Sequence, residues 1–157
     1  MSKLDDLLAM QGELIQDFER VRLLADDEVF IDEFDLDSEA LRTPKLLTRW
    51  LGLLGDHSLK MKSFISLQKR FQLERWKYYL GTQTDKYYSE YGIMHTKILK
   101  TDVNTYLDAD EYIIAVKRIV DTQEQIVIFI ERTIKEISAR TFHIKSAIDW
   151  RRFQSGS

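Results

Sequence analysis

The sequence predicts an all-α fold, with long helices forming a coiled-coil-like helical bundle that associates as a homo-oligomer. Two long stretches carry apolar residues at three- and four-residue steps, as a helix with one buried stripe requires. A single proline stands among 157 residues, so little interrupts those stretches. The run Ile126-Val127-Ile128-Phe129-Ile130 by itself would pass for a buried strand. The helical spacing carries through it with no glycine or proline on either side, which decides for helix.

The elements follow in chain order. Leu4, Leu7, Leu8, Leu14, Ile15, Phe18 and Val21 mark one face of a first helix, expected to end near Leu24 before Ala25-Asp26-Asp27-Glu28. Val29 to Asp37 then alternates acid with apolar residues and reads as a short extended segment or a linker, of the acidic-aromatic kind that docks onto basic grooves. Thr43-Pro44 reads as an N-cap followed by proline at the first helical position. The apolar stripe continues through Leu47, Trp50, Leu51, Leu54, Met61, Phe64, Ile65 and Phe71 to Tyr79, and Gly81 to Asp85 supplies the stop. Gly52 and Gly55 mark the expected place for a kink or break. Residues 81–105 read as a loop or weakly structured arm in which tyrosines lie among lysines; packing onto the helices and contact with nucleotides are both open for them. Asp108 is expected to cap a second long helix ending near Arg140, and Phe142 to Phe153 to form a last amphipathic stretch.

Ile113, Val116, Val120, Gln123, Val127, Ile130, Ile134 and Ile137 form a seam of coiled-coil spacing in that second helix. Seven of these eight are β-branched apolar residues, a composition that favours assemblies larger than a dimer. Subunit contacts are therefore assigned to Ile113, Val116, Val120, Val127, Ile130, Ile134 and Ile137, joined by Phe142 and Ile148. The chain divides on this reading into an acidic helix and linker (1–40), a long helix with its following arm (41–105) and oligomerisation helices (106–157).

Charge is divided unevenly. The net charge is −3, yet residues 1–40 carry three cations against thirteen acids, leaving the remainder with a net charge of +7. An acidic head on a basic body points to a polyanion for the body, with the head meeting another protein or folding back over the body when the polyanion is absent. With no cysteine, disulfides, thiolate catalysis and cysteine-held metal are excluded, in keeping with a reducing cytoplasm. The start is acidic rather than basic, and no uncharged apolar run reaches spanning length, so a soluble protein off the membrane is expected.

The most informative stretch is Lys69 to Gly81, where Lys69, Arg70, Arg75 and Lys77 outnumber the single Glu74 and Trp76, Tyr78 and Tyr79 place rings beside them. Cations follow a phosphate backbone, and flat rings offer a stacking face to unpaired bases. Together with Lys60 and Lys62 upstream, these residues form the candidate site for single-stranded DNA. The same pattern also fits a core-facing stripe with a solvated charged face, as in a helical scaffold, or a basic helix lying on a membrane. No glycine pattern precedes a lysine as a phosphate cradle would need, and His57, His95 and His143 lie far apart in the chain. No nucleophile, base and orienting acid stand together, so no enzyme, cofactor or metal is expected.

Four motifs, in order and at consistent spacing, resemble the UvsY recombination mediator family of T4-like phages: Val29-Phe30-Ile31-Asp32, Arg49-Trp50-Leu51, the Arg-x-x-Tyr-Tyr-x-Gly of Arg75 to Gly81, and Phe142 to Lys145. The resemblance covers most of residues 29–156. It implies a non-enzymatic protein that binds single-stranded DNA as a ring-like hexamer or heptamer. Such a protein helps displace single-strand-binding protein and loads a RecA-like phage recombinase in the host cytoplasm. The family's DNA contact carries over to Arg75. Its basic partner two residues earlier is Leu73 here, and the missing charge is assigned to Lys69, Arg70 or Lys77.

Overall fold

The computed structural model describes residues 2–94, 96 and 98–156; His95 and Lys97 of the arm lie outside the described residues. Five helices follow one another: α1 (Lys3–Val29), α2 (Leu36–Tyr79), α3 (Asp85–Tyr91), α4 (Val103–Asp108) and α5 (Glu111–Ser155). No strand occurs among the described residues, and the all-α helical bundle stands. Three helices are far longer than the usual globular helix of about 11 residues.

Their ends are set by side chains. Ser2 and Asp5 start α1 with a reciprocal capping box: the Asp5 N–H donates to Ser2 Oγ at 3.1 Å and the Ser2 N–H to the Asp5 carboxylate at 2.9 Å. The hydrogen bonds from Ser2 hold the Asp5 carboxyl below its ordinary value. The first helix runs past Leu24 to Val29, because its acidic last turn is capped from elsewhere. α2 begins at Leu36 rather than at Pro44, since Asp35 accepts from the Ser38 N–H at 3.3 Å and so acts as the N-cap. Pro44 sits inside the helix, and nothing breaks the helix at Gly52 or Gly55. A Cβ at either glycine would meet nothing within 4 Å, so both face open space. Gly81 ends α2 as expected. At φ +73° it lets the Thr82 N–H reach the Lys77 carbonyl (3.0 Å) and its own N–H reach that of Tyr78 (3.1 Å), a Schellman closure.

The stretch 81–105 corrects the loop reading: Thr84 Oγ1 accepts from the Tyr87 N–H to start α3, and α4 follows. Asp108 belongs to α4, and Asp110 is the cap of α5, accepting from the N–H groups of Tyr112 (3.0 Å) and Ile113 (3.1 Å). α5 then continues unbroken through the expected stop at Arg140 and takes in Phe142 to Phe153. No glycine or proline lies between those residues to end it.

The chain forms two compact units, residues 1–14 with 60–123 and residues 15–59 with 124–157, so each takes part of α1, α2 and α5. In the second unit the core includes Val21, Ala25, Leu36, Leu46, Trp50, Ile126, Ile130, Ile137 and Ile144. Its polar centre is Arg140, 1% exposed. Arg140 Nη1 donates to the last carbonyls of the first helix and beyond, Glu28 (3.1 Å), Val29 (2.8 Å) and Phe30 (2.6 Å), while Nη2 pairs with the Glu39 carboxylate and Nε reaches Thr43 Oγ1 at 3.4 Å. A cation at a helix C-terminus offsets both the orphan carbonyls and the negative dipole end. Glu28 is buried in turn, accepting from Trp50 Nε1 at 2.7 Å and pairing with Arg49.

The seam read as subunit contact lies largely inside the chain. Ile113, Val116, Val120, Ile130 and Ile137 are buried, Val127, Ile134 and Ile148 are half-buried, and Phe142 alone of that set is exposed. The spacing is the one expected, and the chain's own helices bury it.

Two outcomes follow for stability. Arg140→Met takes from the buried Glu39 its closer cation, leaving only Arg42 at 3.5 Å, and leaves several carbonyls without donors. It should lower unfolding free energy by about 3–5 kcal/mol in a denaturant titration. Gly55→Ala, at an open helical position, should raise it by about 0.5–1 kcal/mol in the same assay.

Candidate nucleic-acid interface

The candidate residues all lie on α2, and helical geometry divides them. At 3.6 residues per turn Lys62, Ser66, Lys69, Arg70, Leu73 and Lys77 fall within about 100° of arc, spanning about 22 Å of helix. All six are exposed. Lys62, Lys69, Arg70 and Lys77 have no carboxylate at ion-pair distance among the described residues. Lys60 is exposed also, on another side of the helix. Phe71, Arg75 and Tyr78 share the opposite, buried face.

Arg75 is thus not on the basic surface. It is 6% exposed, and its Nε donates to Asp110 Oδ2 at 2.7 Å. Tyr79 Oη donates to that same oxygen at 2.7 Å, while the other carboxylate oxygen caps α5. Four tyrosine rings surround the guanidinium, with Tyr78 at 4.1 Å from its carbon, Tyr112 at 4.9 Å, Tyr79 at 5.4 Å and Tyr91 at 5.6 Å. Such ring faces attract a desolvated cation. Burial works against its charge, but Tyr87, Asp110 and Tyr79 outweigh burial and hold the group charged more firmly than an ordinary arginine. Assignment of Arg75 to DNA on motif alone did not anticipate Asp110, thirty-five residues away in the chain.

The arm tyrosines pack. Tyr87 stacks on Tyr91 at 4.3 Å, Tyr88 Oη donates to the Tyr78 carbonyl at 3.3 Å, and Gln83 Nε2 donates to the Glu74 carbonyl at 2.9 Å. Lys3 lies 5.1 Å over the Tyr91 ring and 3.8 Å from Glu90; Tyr91 foremost, then Glu90, holds its ammonium above the ordinary lysine value. Of the predicted rings, Tyr78 is buried, Tyr79 half-buried and bonded to Asp110, and Trp76 half-buried beside the cationic stripe. Beside Tyr78 and Tyr79 a groove of about 910 Å³ runs along Tyr88, Ile93, Met94 and Leu99, which sequence reading had not marked. No group of three or more potential metal ligands occurs among the described residues, and no described helix is long and apolar enough to cross a membrane.

Comparison with known proteins places this geometry. The family model described as recombination, repair and ssDNA binding protein UvsY matches residues 24–157. The chain belongs to the UvsY family. Two crystal structures of the bacteriophage T4 recombination mediator protein UvsY, in lattice types IV and II, superpose with a TM-score of 0.76 at 23% identity. Each covers 87% of this chain, and 98% and 96% of the respective T4 chain. At that identity the likeness to T4 UvsY is one of fold. No curated protein sequence matches the chain. The UvsY match begins at residue 24, so residues 3–23 of α1, its capped start included, precede it.

The Asp110 cluster yields a pH expectation. Burial first, and then the bond to Asp110, push the Tyr79 phenol up from 10.0 to about 12. The neutral phenol is therefore favoured by the fold. That stabilisation is complete below about pH 10 and is lost as pH rises toward about 12. Absorbance titration of the tyrosines should show one that ionises late in the wild type and shifts toward 10 in Asp110→Asn.

Proposed function

We propose that this chain is a non-enzymatic recombination mediator that grips single-stranded DNA through the exposed cations of α2. The observation that carries the reading is the stripe of Lys62, Lys69, Arg70 and Lys77, none ion-paired among the described residues, on one solvent-facing side of that helix. Membership of the UvsY family supports the ligand class. Arg75 supports the site from beneath, by fixing the helix against Asp110, and the phosphates fall to the lysines and Arg70.

Copies of the chain associate into a ring-like hexamer or heptamer, which repeats the stripe and turns several weak contacts into tight, salt-sensitive binding. The contacts between copies use Phe142 and Ile148 with their exposed neighbours Trp150 and Phe153, since the rest of the α5 seam is occupied within the chain. By holding the strand, the assembly weakens the hold of a single-strand-binding protein and presents DNA to a RecA-like recombinase in the cytoplasm.

Fluorescence anisotropy with labelled oligo-dT across a salt series tests this, with light scattering for mass. Each phosphate contact on a single strand contributes about 0.7 to the slope of log affinity against log salt. Lys69→Ala with Lys77→Ala should reduce that slope by about 1.4, while leaving the denaturation midpoint unchanged. Arg75→Ala should do the reverse, lowering the midpoint and sparing the slope. A slope untouched by the lysine changes, or binding to anionic vesicles that oligonucleotide fails to reverse, would count against DNA as the ligand.

A further inference from the structure

We infer that a nucleobase of the bound strand turns inward beside the cationic stripe and seats in a groove formed by Leu73 and Trp76 of α2 against α4 and the start of α5. This rests on the reading of the stripe as a phosphate-binding surface and names what the strand does there. The groove has a volume of about 390 Å³, within the range of small-molecule sites, and Gln72, Asn104, Leu107 and Asp108 complete its walls above Ile113.

Three features select a base over an apolar side chain. The first is position. Leu73 lies four residues from Lys69 and four from Lys77, so the groove opens between two exposed cations that would hold consecutive stretches of backbone. The second is the stacking surface. Trp76 is half-buried on the groove side, and Leu73, 54% exposed within a charged stripe, extends the apolar face beside it. An indole and a flat heterocycle gain from stacking whatever the base sequence. The third is the polar rim. The amides of Gln72 and Asn104 and the Asp108 carboxylate are exposed at the mouth, where they match the donors and acceptors on a base edge. A hydrocarbon side chain would desolvate those groups without satisfying them. Phosphates would avoid Asp108 and stay on the lysines, which separates the backbone from the base in the direction the site needs.

The test uses the full-length chain with two labelled probes of equal length, oligo-dC and an abasic oligonucleotide with the same phosphates, under one salt condition. Wild type should bind oligo-dC roughly five- to tenfold more tightly than the abasic strand, the size of one stacking contact per site. Trp76→Leu should bring the ratio of oligo-dC to abasic affinity down to about one. Asn104→Trp, at an exposed position that fills the groove without touching the core, should do the same. Equal binding of both probes by wild type would overturn the base site and leave the phosphate stripe intact. Failure of both probes to bind would remove the stripe as well. A change of assembly mass in Asn104→Trp would assign the groove to contact between copies and overturn the inference.

Discussion

One carboxylate, that of Asp110, organises the first compact unit. Its two oxygens perform different tasks: one caps α5 through two backbone N–H groups, and the other receives Arg75 and Tyr79 from α2. Start of one long helix and end of another are thereby fixed to the same atom pair. A buried arginine is costly unless its donors find partners; here Nε has Asp110 and four ring faces surround the cation, while Nη1 has no hydrogen-bond partner among the described residues. The tyrosines of α3 come with it, because the rings that surround the guanidinium also stack on one another.

The second unit solves a different problem with the same residue type. Arg140 brings its planar fork of donors to three carbonyls at the end of α1 and to Glu39 at the start of α2. A helix that ends in Asp26, Asp27 and Glu28 has its negative dipole end beside further negative charge, which is unfavourable. A buried cation there lets the helix run to Val29. Lysine could not replace it, since a compact ammonium has neither the reach nor the number of donors.

These arrangements decide which charges remain for a partner. Between Lys62 and Tyr79, α2 carries its cations on two opposite sides; the inward Arg75 is spent on folding, and Lys62, Lys69, Arg70 and Lys77 are left in water. The exposed Lys62, Lys69, Arg70 and Lys77 stand on a helix whose far face is held in place by the Arg75 cluster. A surface fixed in that way has little order left to lose on meeting any ligand.

Much of the fold was legible from residue spacing alone. The period of the apolar stripe, the near absence of proline and the glycine at position 81 determine long helices and where α2 stops, because these follow from local sterics and hydrogen bonding. The candidate stretch was legible too, as a place where cations and rings interleave. Spacing did not decide which helix ends would be capped by distant side chains, so α1 runs past Leu24 to Val29, where Arg140 meets its last carbonyls. Nor did it decide whether the β-branched seam of α5 would be covered by the chain's own helices or by another copy, since the same stripe suits either neighbour. The role of Arg75 was beyond it for the same reason. Sequence specifies that a cation stands there, but whether that cation faces water or Asp110 is a matter of which residues the fold brings within about 3 Å, and only the tertiary structure sets that distance.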